Sequence, residues 1–366
     1  MTENISESTA LYRSIHAQPQ TIRDILTDWD GPTQVAQRLS QCKRVFLSGI
    51  GTSYHAALVG EYLLRLIGVD AWAVRSYEFV TYPRPLHADD GVIVISHRGS
   101  KLHGIGAIQH AKQARVFTVG ITGKDSKMQG ADIVLETVEQ EISSTHSISY
   151  IGTLTRLAQI AARLAPSYEH TQVAQKIEHD LTALPALMEQ IFQYEDVLQK
   201  IARDIATNQR RVVVVGAGPN TATATEGALK AKEAAYITVE GLELEQAIHG
   251  PLVAFELHDL IIVISVEGPS QPRIADFLRA LNEIDTHVLL LGAAPTPDTA
   301  ELFKRAEWQQ IALLRQGEIL EEFSPLLAVV PLQLLANFLA TAHGTNADSF
   351  RKEQEAYRRA TEQYTL

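Results

Sequence analysis

Arg44-Val-Phe-Leu-Ser-Gly-Ile-Gly-Thr-Ser53 is the stretch on which the architecture turns. A short apolar run reaches two glycines and two hydroxyls, and a helical stretch from Tyr54 to Ile67 follows. Brief apolar runs that end in glycine and feed a helix read as strands of a parallel sheet covered on both faces. Gly91–Ser96 (GVIVIS) repeats the device and opens into Ser96-His-Arg-Gly-Ser-Lys101. Arg115–Ile121 (RVFTVGI) is a third such strand, and Asp132–Leu135 a fourth.

The series then recurs. Val45 has its counterpart 167 residues on, at Val212 in RVVVVGAGPN. Ser96 in IVISHRG matches Ser265 in IIVISVEG at a spacing of 169, and Gly120 in FTVGIT matches Gly292 in LLLGAA at 172. Three landmarks in one order, with a slow drift in spacing, indicate duplicated α/β domains. The expected organisation is a first domain over 30–168, linker helices over 169–205, a second domain over 206–342 and a charged tail over 343–366. Residues up to about Ala36 read as helical, and Leu326–Ala342 reads as an apolar helix.

A chain of 366 residues suits two domains. Hydrophobic residues make up 45% and charged residues 20%, which gives ample core for a globular protein. No apolar run reaches the roughly 18 residues that cross a bilayer, so no membrane partner is expected. The opening MTENISESTALYRSIHAQPQ carries no apolar core of a secretory leader. One cysteine, Cys42, excludes an internal disulfide and suits a reducing, cytoplasmic compartment. A net charge of −11 argues against nucleic-acid binding, because phosphate backbones demand a basic face. Any phosphate must be held locally, by backbone amides and a few side chains.

The candidate chemistry lies in Thr223–Pro251, TATEGALKAKEAAYITVEGLELEQAIHGP, which reads as a long alanine-rich helix and a following loop. Glu226 and Glu233 stand seven residues, about two turns, apart, with Lys230 and Lys232 between them. His249 closes the stretch in front of Gly250 and Pro251. A carboxylate and an imidazole brought near each other can both move protons near neutral pH. The rival reading is a set of ordinary helix ion pairs and a structural histidine.

Three hydroxyl-rich turns offer places for an anion. Gly49-Ile-Gly-Thr-Ser53 combines glycines with a helix N-terminus, where free N–H groups accumulate, or else is a turn capped by Thr52 or Ser53. Ser96-His97-Arg98-Gly99-Ser100-Lys101 gathers hydroxyls, a guanidinium and an ammonium at the carboxyl edge, where open α/β sheets bind ligands. Ser143-Ser144-Thr145-His146-Ser147 precedes a helix from Ile148, and an N-cap accounts for one of its hydroxyls. No His/Cys cluster with ligand spacing appears, so neither a metal nor another cofactor is expected.

SGIGTSYHAAL, VISHRGS, TEGALKAKEAAYITVEG, HGPL and VVPLQLLANFLATAHGTNAD together resemble the sugar isomerase (SIS) superfamily. The likeness is to the isomerase half of glucosamine-6-phosphate synthases and to stand-alone SIS deaminases and deglycases, and it covers nearly the whole chain. It implies two tandem SIS domains, each a five-stranded parallel sheet flanked by helices, in a homodimer. The family's serine in its GTS turn falls on Ser53. Its phosphate-cradling S-Q-S-G-E-T loop falls on Ser96, His97, Arg98, Gly99, Ser100 and Lys101, of which Ser96 and Gly99 are unchanged. Its V-A-S-T-K falls on Ile142–His146, so Ser144 and Thr145 match. The family's proton-moving glutamate falls on Glu233, and the acid of EGALK, with a structural or substrate-orienting role, on Glu226. The ring-opening histidine, which reaches in from the partner subunit, falls on His249.

Two departures qualify the likeness. No glutaminase segment precedes Arg44, so synthase activity fed by glutamine is not expected. The family's tail lysine would fall near Glu355, with Lys352 close by. The expected function is an isomerase or deaminase acting on a phosphorylated amino sugar or hexose 6-phosphate by proton transfer between C1 and C2. The alternatives are a catalytically silent sugar-phosphate sensor and a fructosamine-6-phosphate deglycase.

Overall fold

Ten strands form two parallel sheets of five. The computed structural model describes residues 5–313 and 317–364. It divides into two compact units, one of Met1–Ile15, Ser143–Thr145 and Ala186–Arg351, the other of His16–Ile142, His146–Pro185 and Lys352–Leu366.

The sheet of the latter unit comprises β1 (Arg44–Gly49), β2 (Asp70–Arg75), β3 (Asp90–Ile95), β4 (Phe117–Thr122) and β5 (Ile133–Glu136), in the order β2-β1-β3-β4-β5. The other sheet comprises β6 (Val212–Gly216), β7 (Val239–Glu243), β8 (Leu260–Ser265), β9 (His287–Gly292) and β10 (Trp308–Ile311). Its order, β10-β9-β8-β6-β7, is the same series read from the opposite edge. The duplication is therefore one of topology as well as of sequence. The central strands bury every residue, β3 and β8 throughout, as two-sided coverage requires. Val213, Val215, Ile261, Val263, Phe277 and Leu290 share one core cluster, each contributing on the order of 1.5–3 kcal/mol by burial.

The glycine turns are duplicated atom for atom in their logic. A Cβ on Gly49 would stand 2.4 Å from the Ser53 carbonyl, and one on Gly216 would stand 2.1 Å from the Asn220 oxygen. Two residues on, Gly51 and Gly218 take φ of 55° and 54°, where side chains are disfavoured. Each turn thus folds the helix start back over its strand, and only glycine fits.

Three sequence expectations need correction. Thr223–Pro251 is not one long helix. The helix spans Asn220–Ala235 and stops at Tyr236, at φ 59° in the left-handed region, after which β7 and a short helix, Leu244–Ile248, follow. The edge strands β2, β7 and β10 were not foreseen, because DAWAVR, VEGLE and WQQI are half-exposed segments rather than apolar runs. Finally, one stretch does meet membrane-span length and composition: Glu321–His343, mean hydropathy 1.7. Its apolar window is wholly buried, because the helix Ser324–His343 packs against Asn220–Ala235 and Glu195–Asn208. An all-round apolar helix marks a core position as readily as a span.

Candidate active site

Glu226, Lys230 and Glu233 lie on the helix Asn220–Ala235, whose small residues let a neighbouring helix approach closely. A Cβ on Gly227 would stand 2.6 Å from Leu332 Cδ1. Below it, Asn220 donates to Ser324 Oγ at 2.7 Å and accepts from Thr223, which fixes the start of the helix. Packed this way, the helix buries Glu226 (0% exposed) and Lys230 (1%) and leaves Glu233 at 19%. Lys230 Nζ stands 2.5 Å from Glu233 Oε2 and 3.4 Å from Glu226 Oε1. A cation sealed from water beside two carboxylates is more than a solvated helix pair, since its charge is screened far less. Glu233 is the member of the trio that reaches an accessible surface.

The segment 345–351 binds the end of this helix. Thr345 donates its hydroxyl to the Ala234 carbonyl at 2.8 Å. The Tyr236 hydroxyl donates to the Asn346 carbonyl and accepts the Arg351 amide, with the Arg351 guanidinium 5.3 Å above its ring. The same segment holds Ser144 and Thr145. The Ser144 amide donates to the Asp348 carbonyl at 3.0 Å, and the buried Thr145 hydroxyl donates to the Ala347 carbonyl at 2.6 Å. Ser144 and Thr145 are thus stitched to the strap that closes the helix of Glu233, all within one unit. The hydroxyl of Thr145 is engaged with backbone, whereas that of Ser144 makes no hydrogen bond among the described residues.

His249 does not join Glu233. It lies in the loop after Leu244–Ile248 with its side chain 71% exposed, and its Nε2 is 3.2 Å from Glu245. Glu245 is held in turn by Arg273, whose guanidinium keeps that carboxyl below its usual range. The expected acid–imidazole pair therefore does not form within one chain among the described residues.

Ser53, Ser96, His97, Arg98, Ser100 and Lys101 belong to the other unit. The N-cap of the helix is Gly51, not Thr52 or Ser53. The Ser96–Lys101 turn is closed by the Gly99 amide on the Ser96 carbonyl. A Cβ on Gly99 would come 2.3 Å from the Met128 amide, which explains the glycine. Ser96 is buried, and Ser100 and Arg98 are exposed. His97 Nε2 accepts the Glu141 amide at 3.1 Å, while its Nδ1 is buried without a partner. Burial, helped by the Arg98 charge, pushes its pKa down to about 4, so the ring is neutral at pH 7.

Glu141, which sequence reasoning missed, caps the helix Ile148–Leu164 by accepting the Ser147 and Ser149 amides, each at 2.9 Å. It thereby replaces the serine cap expected in Ser143–Ser147. Its one signal in the sequence is an acid just ahead of a helix start, where the helix dipole favours negative charge. His97, Glu141 and His146 also bring their ligand atoms within 4.8 Å of one another, a cluster that sequence spacing did not show because separate segments supply it. The His97 Nε2 lone pair already takes a backbone N–H, and both Glu141 oxygens do the same. In this geometry His97 and Glu141 use these atoms to brace the loop.

The counterpart edge of the other sheet has a different character. A cavity of about 150 Å³ there is lined by Ser265, Glu267, Gly292, Glu321 and Ser324. Burial and the Glu322 charge push Glu321 up to about 7. Nothing basic lines this cavity among the described residues.

The SIS domain model matches residues 38–162 and 205–293, more than half of the chain. A glutamine–fructose-6-phosphate aminotransferase (isomerizing) of Gloeobacter violaceus is 30% identical over 357 residues, which cover 93% of this chain and 57% of that protein. This chain thus spans little more than half the length of such relatives. Among solved structures, the C-terminal domain of the glucosamine-fructose-6-phosphate aminotransferase of Francisella tularensis superposes with a TM-score of 0.83 at 19% identity, covering 93% of this chain and 98% of that one. A glucosamine-6-phosphate deaminase of Thermotoga maritima superposes with a TM-score of 0.68 at 18% identity, covering 93% and 97%. These structural likenesses concern the fold.

Proposed function

We propose that this chain, which belongs to the SIS domain family, is an isomerase or deaminase of a phosphorylated sugar. The observation that carries the reading is the accessible carboxylate of Glu233, held at 2.5 Å by the sealed ammonium of Lys230. A base so fixed loses little freedom when it meets a substrate carbon, and positioning of that kind is a large part of catalysis.

In this reading Glu233 removes the proton from one of C1 and C2 of the open-chain sugar and returns it to the other. The electron pair left behind passes through an enediol or enolamine. In the deaminating direction that transfer leaves an imine at C2, water adds to the imine carbon, and the C–N bond breaks to release ammonia and leave the ketone. Glu226 orients Lys230 from beneath. Ser53, Ser96, Ser100 and Ser144 hold phosphate or sugar hydroxyls. Thr145 acts through the backbone it anchors, and His97 shapes the phosphate loop as a neutral ring. His249, exposed and remote from Glu233 in contacts, assists ring opening in the site of a neighbouring subunit of a homodimer.

A panel of hexose phosphates, including fructose 6-phosphate and glucosamine 6-phosphate, scored for thermal stabilisation, product and ammonia release, tests this. Binding with turnover is expected. Tight binding without turnover would instead favour a sugar-phosphate sensor, for which the non-lysine residue Glu355 in the tail speaks. Release of a hexose 6-phosphate together with the free amine from a fructosamine 6-phosphate, with water consumed, would favour a deglycase.

A further inference from the structure

Glu245 stands between an imidazole and a guanidinium. Its Oε2 is 3.2 Å from Nε2 of His249, one helical turn on. Arg273 reaches it from the helix Gln271–Ile284 with two parallel bonds, Nε to Oε1 at 2.6 Å and Nη2 to Oε2 at 3.1 Å. All three residues belong to one compact unit. Such a fork sets the plane of a carboxylate as well as its distance. Arg273 also bonds Asp276 at 3.4 Å, Asp276 bonds Arg279 at 3.0 Å, and Arg279 bonds Asp298 at 2.8 Å. The alternating charges run from Asp298 to the imidazole of His249.

Stability does not account for this arrangement. His249, Glu245 and Arg273 are 71%, 45% and 40% exposed, and pairs so open to water are screened and contribute little to folding. Nor does the fold require it. At a spacing of 168 residues, Ser76–Pro83 stands where Leu244–Pro251 stands, a short helix after an edge strand with a proline beyond. There Tyr77 replaces Glu245 and Thr81 replaces His249. What the carboxylate supplies is orientation. An imidazole just past a five-residue helix can turn about two side-chain bonds. A fixed acceptor at Nε2 selects one rotamer and one tautomer, with a proton on Nε2 and the lone pair on Nδ1.

We infer that Glu245, clamped by Arg273, is the positioning residue of His249 and holds its imidazole so that Nδ1 serves the ring-opening step. This rests on the phosphosugar reading above, in which His249 assists that step. The anomeric hydroxyl gives its proton to Nδ1, and the carbonyl forms as the ring C–O bond breaks. The proton then passes from Nδ1 to the ring oxygen, and the imidazole ends as it began.

Proton exchange at C1 in heavy water, compared between fructose 6-phosphate and 5-deoxyfructose 6-phosphate, tests it. The second sugar lacks the hydroxyl that closes the furanose ring, and its phosphate blocks closure through O6, so it is already open. Glu245→Gln is expected to lower exchange of fructose 6-phosphate relative to the open analogue about tenfold or more, in kcat and with KM within about twofold. Arg273→Gln is expected to lower the same ratio, and Arg273→Lys to recover part of the loss. Arg279→Gln, further along the chain of charges, is expected to leave the ratio unchanged. A ratio unaltered by Glu245→Gln, or lowered equally by Arg279→Gln, would overturn the positioning role while leaving the phosphosugar reading intact. Exchange of neither sugar by the unmodified protein would overturn both.

Discussion

Lys230 Nζ stands 2.5 Å from Glu233 and 3.4 Å from Glu226, with the lysine and Glu226 sealed from water. One buried cation thus fixes an acid that reaches the surface by way of an acid that does not. Removing Lys230 leaves two carboxylates facing each other in a low dielectric. Lys230→Met is therefore expected to cost about 3–5 kcal/mol of unfolding free energy. Denaturant titration measures it, and a cost below about 1 kcal/mol would show that the trio is a dispensable helix pair.

His249 should behave in the opposite way. Its side chain is 71% exposed and meets Glu245, so His249→Asn is expected to change stability by no more than about 0.5 kcal/mol. Turnover of a ring-closed substrate is expected to fall by about a hundredfold or more. Mixing Glu233→Gln and His249→Asn subunits is expected to regenerate activity if His249 serves its neighbour. Turnover unchanged by His249→Asn would remove the residue from the mechanism.

His97 ties the Ser96–Lys101 turn to pH. Its folded pKa of about 4 lies below the ordinary 6.5, so between those values the unfolded chain takes up a proton that the native ring refuses. The native state therefore loses stability through His97 as pH falls from 6.5 towards 4, and this contribution is constant above 6.5. His97→Gln is expected to lose less stability than the unmodified protein between pH 7 and pH 5, as read from denaturation midpoints. An equal loss in both would show that the ring is protonated in the folded state.

The duplicated sheet was legible because β1, β3, β6 and β8 are buried on both faces and so are written as unbroken apolar runs. The edge strand β2 was not, since its exposed Asp70, Trp72 and Arg75 break any run. The end of the helix at Tyr236 was also hidden: no glycine or proline marks it, and tertiary bonds from 346 and 351 hold the tyrosine at positive φ. At the site, the spacing of Glu226 and Glu233 and their (i, i+4) and (i, i+3) pairing with Lys230 are legible, but not the burial that seals Lys230 and Glu226 from water. The cap formed by Glu141 depends on contacts that spacing does not encode, whereas the His249–Glu245 pair stands at i, i+4.

Proton exchange tests the role of Glu233 most directly. Fructose 6-phosphate or glucosamine 6-phosphate incubated with the protein in heavy water is expected to take up deuterium at C1 or C2, as followed by NMR. Glu233→Gln, folded as judged by its denaturation midpoint, is expected to abolish that uptake. No uptake with the unmodified protein, or undiminished uptake with Glu233→Gln, would contradict the assignment.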